Sequence, residues 1–216
     1  MIKLDILSDP ICPWCYIGKS RLDAALAERP DHPFVLEYHP FQLNPDMPAG
    51  GMDRRTYLEA KFGGKAEAAR VYANIDAAAR ENGLAIDFGK ISRTPNTLDA
   101  HRLIHWAGIE GRQLPVVDAL FRAYFEEYQD IGDHDMLVSI AVGAGLDGAA
   151  IRMLLDGDAD RTETAERDAH ARARGVTGVP THVIASRHVI PGAQPTEMWV
   201  KVIDDITEEF AAGAPE

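Results

Sequence analysis

Strand signals lie at the two ends of this 216-residue chain, and about 130 residues between them read as helix. At the start, residues 2–7 (IKLDIL) alternate apolar and polar, as a short strand does. A helix follows from residue 16 to about residue 28, with Ile17, Leu22, Ala25 and Leu26 on one face, and Arg29-Pro30-Asp31-His32-Pro33 breaks it. Residues 34–38 (FVLEY) form a second strand, stopped by Pro40. A right-handed crossover makes these two strands parallel. At the other end, residues 181–185 and 187–190 are close enough for a hairpin. A final helix then sets Trp199, Val202, Ile203, Ile206 and Phe210 at helical spacing, with a frayed tail from Ala211 to Glu216.

Between the two ends, caps and glycines divide the chain into helices. Asp53 is placed to cap a helix reaching Phe62, and Gly63-Gly64 separates it from an Ala-rich helix over residues 65–82. Pro95-Asn96-Thr97 opens another. From 114 to 129 an amphipathic helix sets Val117, Leu120, Phe121, Tyr124, Phe125 and Tyr128 on one stripe, which reads as core. Asp133 or His134 starts the next helix, Asp147 caps a short one, and a charged helix runs over 161–174 to Gly175. The order is therefore β-α-β, a helical block, then β-β-α. Neither end alone covers a sheet, so the economical reading is one α/β unit (residues 1–42 and 175–216) with an all-helical unit (residues 43–174) inserted into it.

The only two cysteines sit at the first strand-to-helix junction, as Cys12-Pro13-Trp14-Cys15. Helix N-termini leave backbone N–H groups unpaired and carry partial positive charge, which favours a thiolate and lowers its pKa. Pro13 suits the first helical turn, where its missing N–H costs nothing. Two cysteines one turn apart can close and reopen a small disulfide, which is what thiol–disulfide exchange requires.

Composition narrows the partners. The chain carries 22 basic against 34 acidic residues, a net charge of -12, with no basic run. Nucleic acid and anionic membrane are poor partners for such a surface. No stretch approaches the ~18 apolar residues of a membrane span, and no targeting segment is visible at the start. Taken as full length, the chain is expected in the cytosol, where a Cys-x-x-Cys pair reads as redox or metal chemistry. No exposed seam marks an oligomer interface.

These residues resemble a known family. Cys12-Pro13-Trp14-Cys15 after the first strand is similar to the thioredoxin-fold active site, and the helical block looks like the insertion of the DsbA family. Gly178-Val179-Pro180-Thr181 resembles that fold's cis-proline loop. The run Asp9-Pro10-Ile11-Cys12-Pro13-Trp14-Cys15-Tyr16-Ile17-Gly18-Lys19, with Pro95-Asn96-Thr97, Ala100-His101-Arg102-Leu103 and Gly192-Ala193-Gln194, resembles the FrnE-like members. The resemblance implies a thioredoxin fold with a large helical insertion, acting as a disulfide oxidoreductase or isomerase. Cys12 would be the exposed attacking thiol and Cys15 the buried resolving thiol. Pro13 and Trp14 would form the active-site dipeptide. Val179, Pro180 (in cis) and Thr181 would receive the substrate. Partners would be protein or small-molecule thiols and disulfides, glutathione among them, and no cofactor or metal is called for. Trp14 stands where periplasmic DsbA members carry histidine, so Cys12 is expected to be less acidic. Against a cytosolic glutathione poise of about -220 to -320 mV such a pair rests as a dithiol, and reduction or reshuffling of disulfides is favoured over their formation.

Other readings compete. Kappa-class glutathione transferases and hydroxychromene-carboxylate isomerases share this architecture. They act on small molecules with glutathione, but typically carry serine where Cys12 stands and lack the second cysteine. A non-catalytic binding or metal-carrying module is a third reading. His101 and His105 at i, i+4 offer two ligands for zinc, which wants four, and a helix cap at Asn96 with a partly buried imidazole is the plainer account. His39 and His182, at strand ends, could approach the sulfurs. Trp106 and Trp199 read as core, and Trp14 as exposed and able to contact a partner polypeptide.

Overall fold

The computed structural model describes residues 1–211, so the tail expected to fray lies, beyond Ala211, outside the described residues. Strand β1 (Ile2–Ser8) pairs in parallel with β2 (Phe34–Pro40), from Ile2 opposite Phe34 to Ser8 opposite Pro40. Helix α1 (Pro13–Glu28) makes the crossover. Strand β5 (Thr181–Ile184) joins the other side of β1, antiparallel, and β6 (His188–Pro191) closes a hairpin with it. The sheet order is β2-β1-β5-β6. This is the thioredoxin fold that the resemblance implies. The hairpin turns on Ala185 and Ser186, with φ of 50° and 57°. Two consecutive residues in that region match the right-handed twist of the flanking strands.

The alternation of β1 is read out on two faces. Leu4 and Ile6 enter the main core with Ile17, Leu22 and Ala25 of α1 and Trp199 and Ile203 of α9 (Thr196–Ala211). Leu7 faces the other way, into a smaller cluster with Phe41 and Ala171 of α8 (Arg161–Ala173). The side-chain burial of Phe210 is outside what is described.

Between β2 and β5 the chain forms α2 (Arg54–Phe62), α3 (Lys65–Glu81), α4 (Leu98–Ile109), α5 (Gln113–Phe125), α6 (His134–Gly143) and α7 (Gly148–Asp156), then α8. The expected caps are present: Asp53, Asp133 and Asp147 accept backbone N–H groups of Thr56, Met136, and Ala149 with Ala150. Three details differ from the sequence reading. The helical stretch contains a two-residue antiparallel ladder, β3 (Met52–Asp53) with β4 (Arg93–Thr94), too short to give a period. Helix α4 starts at Leu98, whose N–H is taken by the Asn96 side chain (2.9 Å), rather than at Pro95. Helix α5 ends at Phe125, not 129. Tyr128 takes a left-handed φ of 58° while Gln129 N–H returns to the Ala123 carbonyl (2.8 Å), so the chain turns back on the end of the helix instead of continuing it.

Three contacts fasten the helices to the strand–helix unit that carries the two cysteines. Phe121 and Phe125 stack on Tyr16, the residue after Cys15, at 5.1 and 5.5 Å. The Gln113 side chain meets β2 like another strand, accepting from Tyr38 N–H (2.7 Å) and donating to its carbonyl (3.1 Å). Lys19 of α1 is shared by Asp23 and by Asp118 of α5.

Candidate active site

Cys12 is the N-cap of α1 and Pro13 its first helical residue. The Cys12 carbonyl accepts from Cys15 N–H (3.0 Å) and Tyr16 N–H (3.2 Å), so both sulfurs belong to the first turn. Both are free thiols. From 167 residues away, the Val179 carbonyl comes to 3.6 Å from Cys12 Sγ, and the Val179–Pro180 peptide bond is cis. The loop is held from both sides. Gly192 N–H donates to the Pro180 carbonyl (2.7 Å), and Thr181 Oγ1 donates to Gly178 (2.7 Å). The Thr181 side chain is therefore buried and occupied in bracing the loop. Gly18 lets α1 approach: a Cβ there would stand 3.0 Å from Pro180 Cγ and 3.3 Å from Ala193.

One expectation is corrected. Cys12 is not an exposed thiol: it is 4% exposed, as closed as Cys15, while Trp14 between them is 37% exposed. The reason is packing: Cys12 Sγ is tucked under the Val179 carbonyl, and the indole takes the surface position. Burial pushes the Cys15 thiol well above its ordinary range. The adjacent Cys12 sulfur adds to this, and the Ser8 hydroxyl and Asp9 backbone N–H oppose it.

Sequence reasoning assigned no role to Asp9. Locally it reads as a turn residue before Pro10, and only burial distinguishes it. Its carboxylate is sealed from solvent and accepts Ile11 N–H (3.3 Å) and Leu43 N–H (2.6 Å). Desolvation outweighs those bonds and lifts its pKa to about 7. His101 on α4 reaches it from the far side, with Nε2 3.9 Å from Asp9 Oδ1. The imidazole is fully rather than partly buried, and burial lowers its pKa to about 3.

Three further histidines have partners of their own. His105 meets Arg167 through Nδ1 (3.1 Å), so it does not pair with His101 on a metal. His182 packs edge-on against Trp199 (4.7 Å). His39 bonds Asp5 (2.7 Å). Asp5, Glu37 and His39 hold potential ligand atoms within 4.8 Å of one another, but the Lys3 ammonium already bridges Asp5 (3.1 Å) and Glu37 (2.8 Å). A groove of about 980 Å³ runs from Val179 and Pro180 along this face of the sheet to α8. Among the described residues no helix is long and apolar enough to cross a membrane.

Known proteins match this arrangement. The family model described as DSBA-like thioredoxin domain matches residues 3–204. The crystal structure of a probable DsbA oxidoreductase from Streptomyces coelicolor is 32% identical, with a TM-score of 0.83, covering 100% of this chain and 92% of that one. The Bacillus subtilis (strain 168) protein YwbO is 28% identical over 205 residues, 94% of this chain and 96% of that protein. The cytosolic disulfide reductase DsbM from Pseudomonas aeruginosa, solved with GSH, shares the fold at 19% identity and a TM-score of 0.67, covering 95% of this chain and 99% of that one. With a cysteine pair at the first turn of α1 and a cis-proline loop against it, the chain belongs to the DSBA-like thioredoxin domain family of thiol–disulfide oxidoreductases.

Proposed function

We propose that this protein exchanges disulfides through the Cys12–Cys15 dithiol, reducing or reshuffling them in the cytosol. The observation that supports this reading is the placement of two free thiols in the first turn of α1, with Cys12 Sγ 3.6 Å from the Val179 carbonyl. Cys12 attacks a substrate disulfide as thiolate, one substrate sulfur leaves with the electron pair, and a mixed disulfide forms. Cys15 then attacks Cys12 Sγ, which forms the Cys12–Cys15 bond and releases the second substrate thiol. Val179, Pro180 and Thr181 supply the docking loop for the substrate strand, and Trp14 supplies an exposed apolar surface beside the sulfur. Trp14 offers no imidazole to hold a strongly acidic thiolate, which favours the reducing or isomerising direction. The cytosolic disulfide reductase DsbM, which shares the fold, agrees with that direction.

The test is to replace Cys15→Ser and look for mixed disulfides trapped on Cys12, beside reduction of insulin disulfides by the wild-type protein. Trapping with active reduction is expected. Loss of both would sink the proposal. An activity that needs glutathione and survives loss of both thiols would instead make the protein a glutathione-dependent isomerase or transferase. Equilibrating the pair in a glutathione buffer fixes the direction.

A further inference from the structure

Strand β2 is an outer strand of the sheet, and its register decides which of its backbone groups lack a neighbouring strand. Ile2 N–H donates to the Pro33 carbonyl (2.7 Å) at one end of the β1–β2 pair, and Phe41 N–H donates to the Ser8 carbonyl (3.2 Å) at the other. Along a paired strand, alternate residues bond to the neighbour. Positions 35, 37 and 39 therefore face β1, and Phe34, Leu36, Tyr38 and Pro40 turn their backbone polar groups to the free edge.

An open edge is a template for another strand, and most of this one is closed from within the chain. His32 Nδ1 accepts from Phe34 N–H (3.2 Å). The Gln113 carboxamide engages both backbone groups of Tyr38. Pro40 has no N–H to offer. Leu36 is what remains: neither its N–H nor its carbonyl has a partner among the described residues. It opens into a pocket of about 610 Å³ between β2, α4, α5 and α8. Val35, Ile109 and Leu114, three exposed apolar side chains, stand around this pocket. His101, with both ring nitrogens unpaired, forms part of the wall. Arg167 can only donate to His105 Nδ1 (3.1 Å), so a neutral His105 ring carries its proton on Nε2. An apolar lining with a few polar groups, at this size, is the character of a small-molecule site. Neither cysteine and no residue of the 178–181 loop lines it.

The blocked flanks select the occupant. A peptide strand pairs over several residues of an edge, and here it would meet His32 on one side of Leu36 and Gln113 on the other. A single amide needs one position only. Gln113 displays the geometry two residues along the same edge. Its carboxamide oxygen accepts from Tyr38 N–H (2.7 Å) while its NH₂ donates to the Tyr38 carbonyl (3.1 Å). A second group with an acceptor oxygen and a donor N–H side by side can dock on Leu36 in the same way.

We infer that this pocket binds a small molecule carrying a primary carboxamide or a cyclic cis-amide on a compact apolar body. The amide oxygen accepts from Leu36 N–H, and the amide N–H donates to the Leu36 carbonyl. The body displaces water from Val35, Ile109 and Leu114. Binding here lies outside the dithiol chemistry proposed above and does not depend on it.

The test titrates the isotope-labelled full chain with benzamide and with valerolactam and follows the backbone amide resonances by NMR. N,N-dimethylbenzamide is the matched control, since it keeps the ring and the carbonyl but has no N–H. Benzamide and valerolactam are expected to shift the Leu36 resonance saturably, with nuclear Overhauser contacts from the probe to the Val35 and Leu114 methyl groups. Dimethylbenzamide is expected to bind about ten-fold more weakly or worse, the loss of one hydrogen bond with its partner left unpaired. Leu36→Pro deletes the proposed donor and leaves the β1–β2 ladder intact, because proline is tolerated on an edge strand where the N–H faces outward. It is expected to weaken benzamide by a similar factor, and should it not fold, the comparison of the two benzamides decides. The inference is overturned if neither amide shifts Leu36, if dimethylbenzamide binds as tightly as benzamide, or if a folded Leu36→Pro binds benzamide like the wild type. A Leu36 shift that follows protein concentration and not the amide would make the edge an interface between two copies of the chain, which overturns it as well.

Discussion

Arg102 and His101 are neighbours on α4, both sealed from solvent at 0% and 2% exposure, and the protein treats them in opposite ways. Arg102 is saturated. Its guanidinium donates to the carbonyls of Ala159 (2.7 Å), Leu154 (2.5 Å), Gly157 (2.7 Å) and Leu155 (3.4 Å) and to Asp99 (2.8 Å), and it lies 4.9 Å from the Trp106 ring centre. Those carbonyls include the open C-terminal end of α7, where a helix wants positive charge. Neither nitrogen of His101 has a hydrogen-bond partner among the described residues. The comparison teaches that burial alone does not tell a structural polar residue from a functional one. A saturated group holds the fold together. An unsatisfied one beside a reactive centre is retained at a cost in stability, and the cost asks for a use.

The contrast can be broken most sharply at Arg102. Arg102→Ala removes a buried cation and strands several carbonyls, so stability is expected to fall by about 3–5 kcal/mol. Urea denaturation measures this, and a loss below about 1 kcal/mol would remove the structural half of the comparison.

Next comes pH. Asp9 has its pKa raised from 3.8 to about 7 by burial, so the folded state holds its proton more tightly than the unfolded state does. Its contribution to stability is complete below about pH 4 and is lost as pH rises through about 7. His101 is lowered from 6.5 to about 3, so its contribution is complete above pH 6.5 and is lost as pH falls through about 3. Between pH 4 and 6.5 the two slopes oppose each other. Asp9→Asn is expected to leave a stability that rises with pH across that window, and His101→Phe one that falls. Thermal melts of the two variants across the window check the signs, and parallel slopes would refute the assignment.

A smaller effect is expected from His101→Phe at pH 7. It removes two unsatisfied nitrogens and keeps a ring of similar size, so stability should change by less than about 1 kcal/mol in either direction. A large loss, read from the same urea curves, would mean that His101 is a structural residue like its neighbour. The smallest effect belongs to Asp99, which Arg102, Arg161 (3.0 Å) and His134 (3.2 Å) share at a partly open position. Asp99→Asn should cost about 0–1 kcal/mol, since Arg102 keeps its carbonyls. Denaturation of that variant checks whether the carbonyls, rather than the ion pair, satisfy Arg102.

Much of this was legible in the chain. The strand–helix junction around Cys12 and Cys15, the parallel β1–β2 pair, the β5–β6 hairpin and the caps at Asp53, Asp133 and Asp147 all follow from patterns a few residues long. The β3–β4 ladder was not, because two residues carry no period. Nor was the end of α5, because Tyr128 continues the apolar stripe in sequence after the helix has stopped. In the site, the sequence offered Cys12, Cys15, the Pro13-Trp14 dipeptide and the Val179-Pro180-Thr181 loop, while Asp9 carried no role and His101 was weighed only as a zinc ligand or a partly buried helix residue.

The sequence by itself determined where a dithiol sits on a first helical turn and what order of elements surrounds it. The physical reason is that periodicity, capping and turn chemistry act between near neighbours. The tertiary structure alone decided that Val179 closes over Cys12, that the Cys12 sulfur is covered while Trp14 is not, and that Asp9 and His101, both buried, come within 3.9 Å of each other. Burial and desolvation depend on what distant segments pack against a group, and no window of neighbouring residues contains that information.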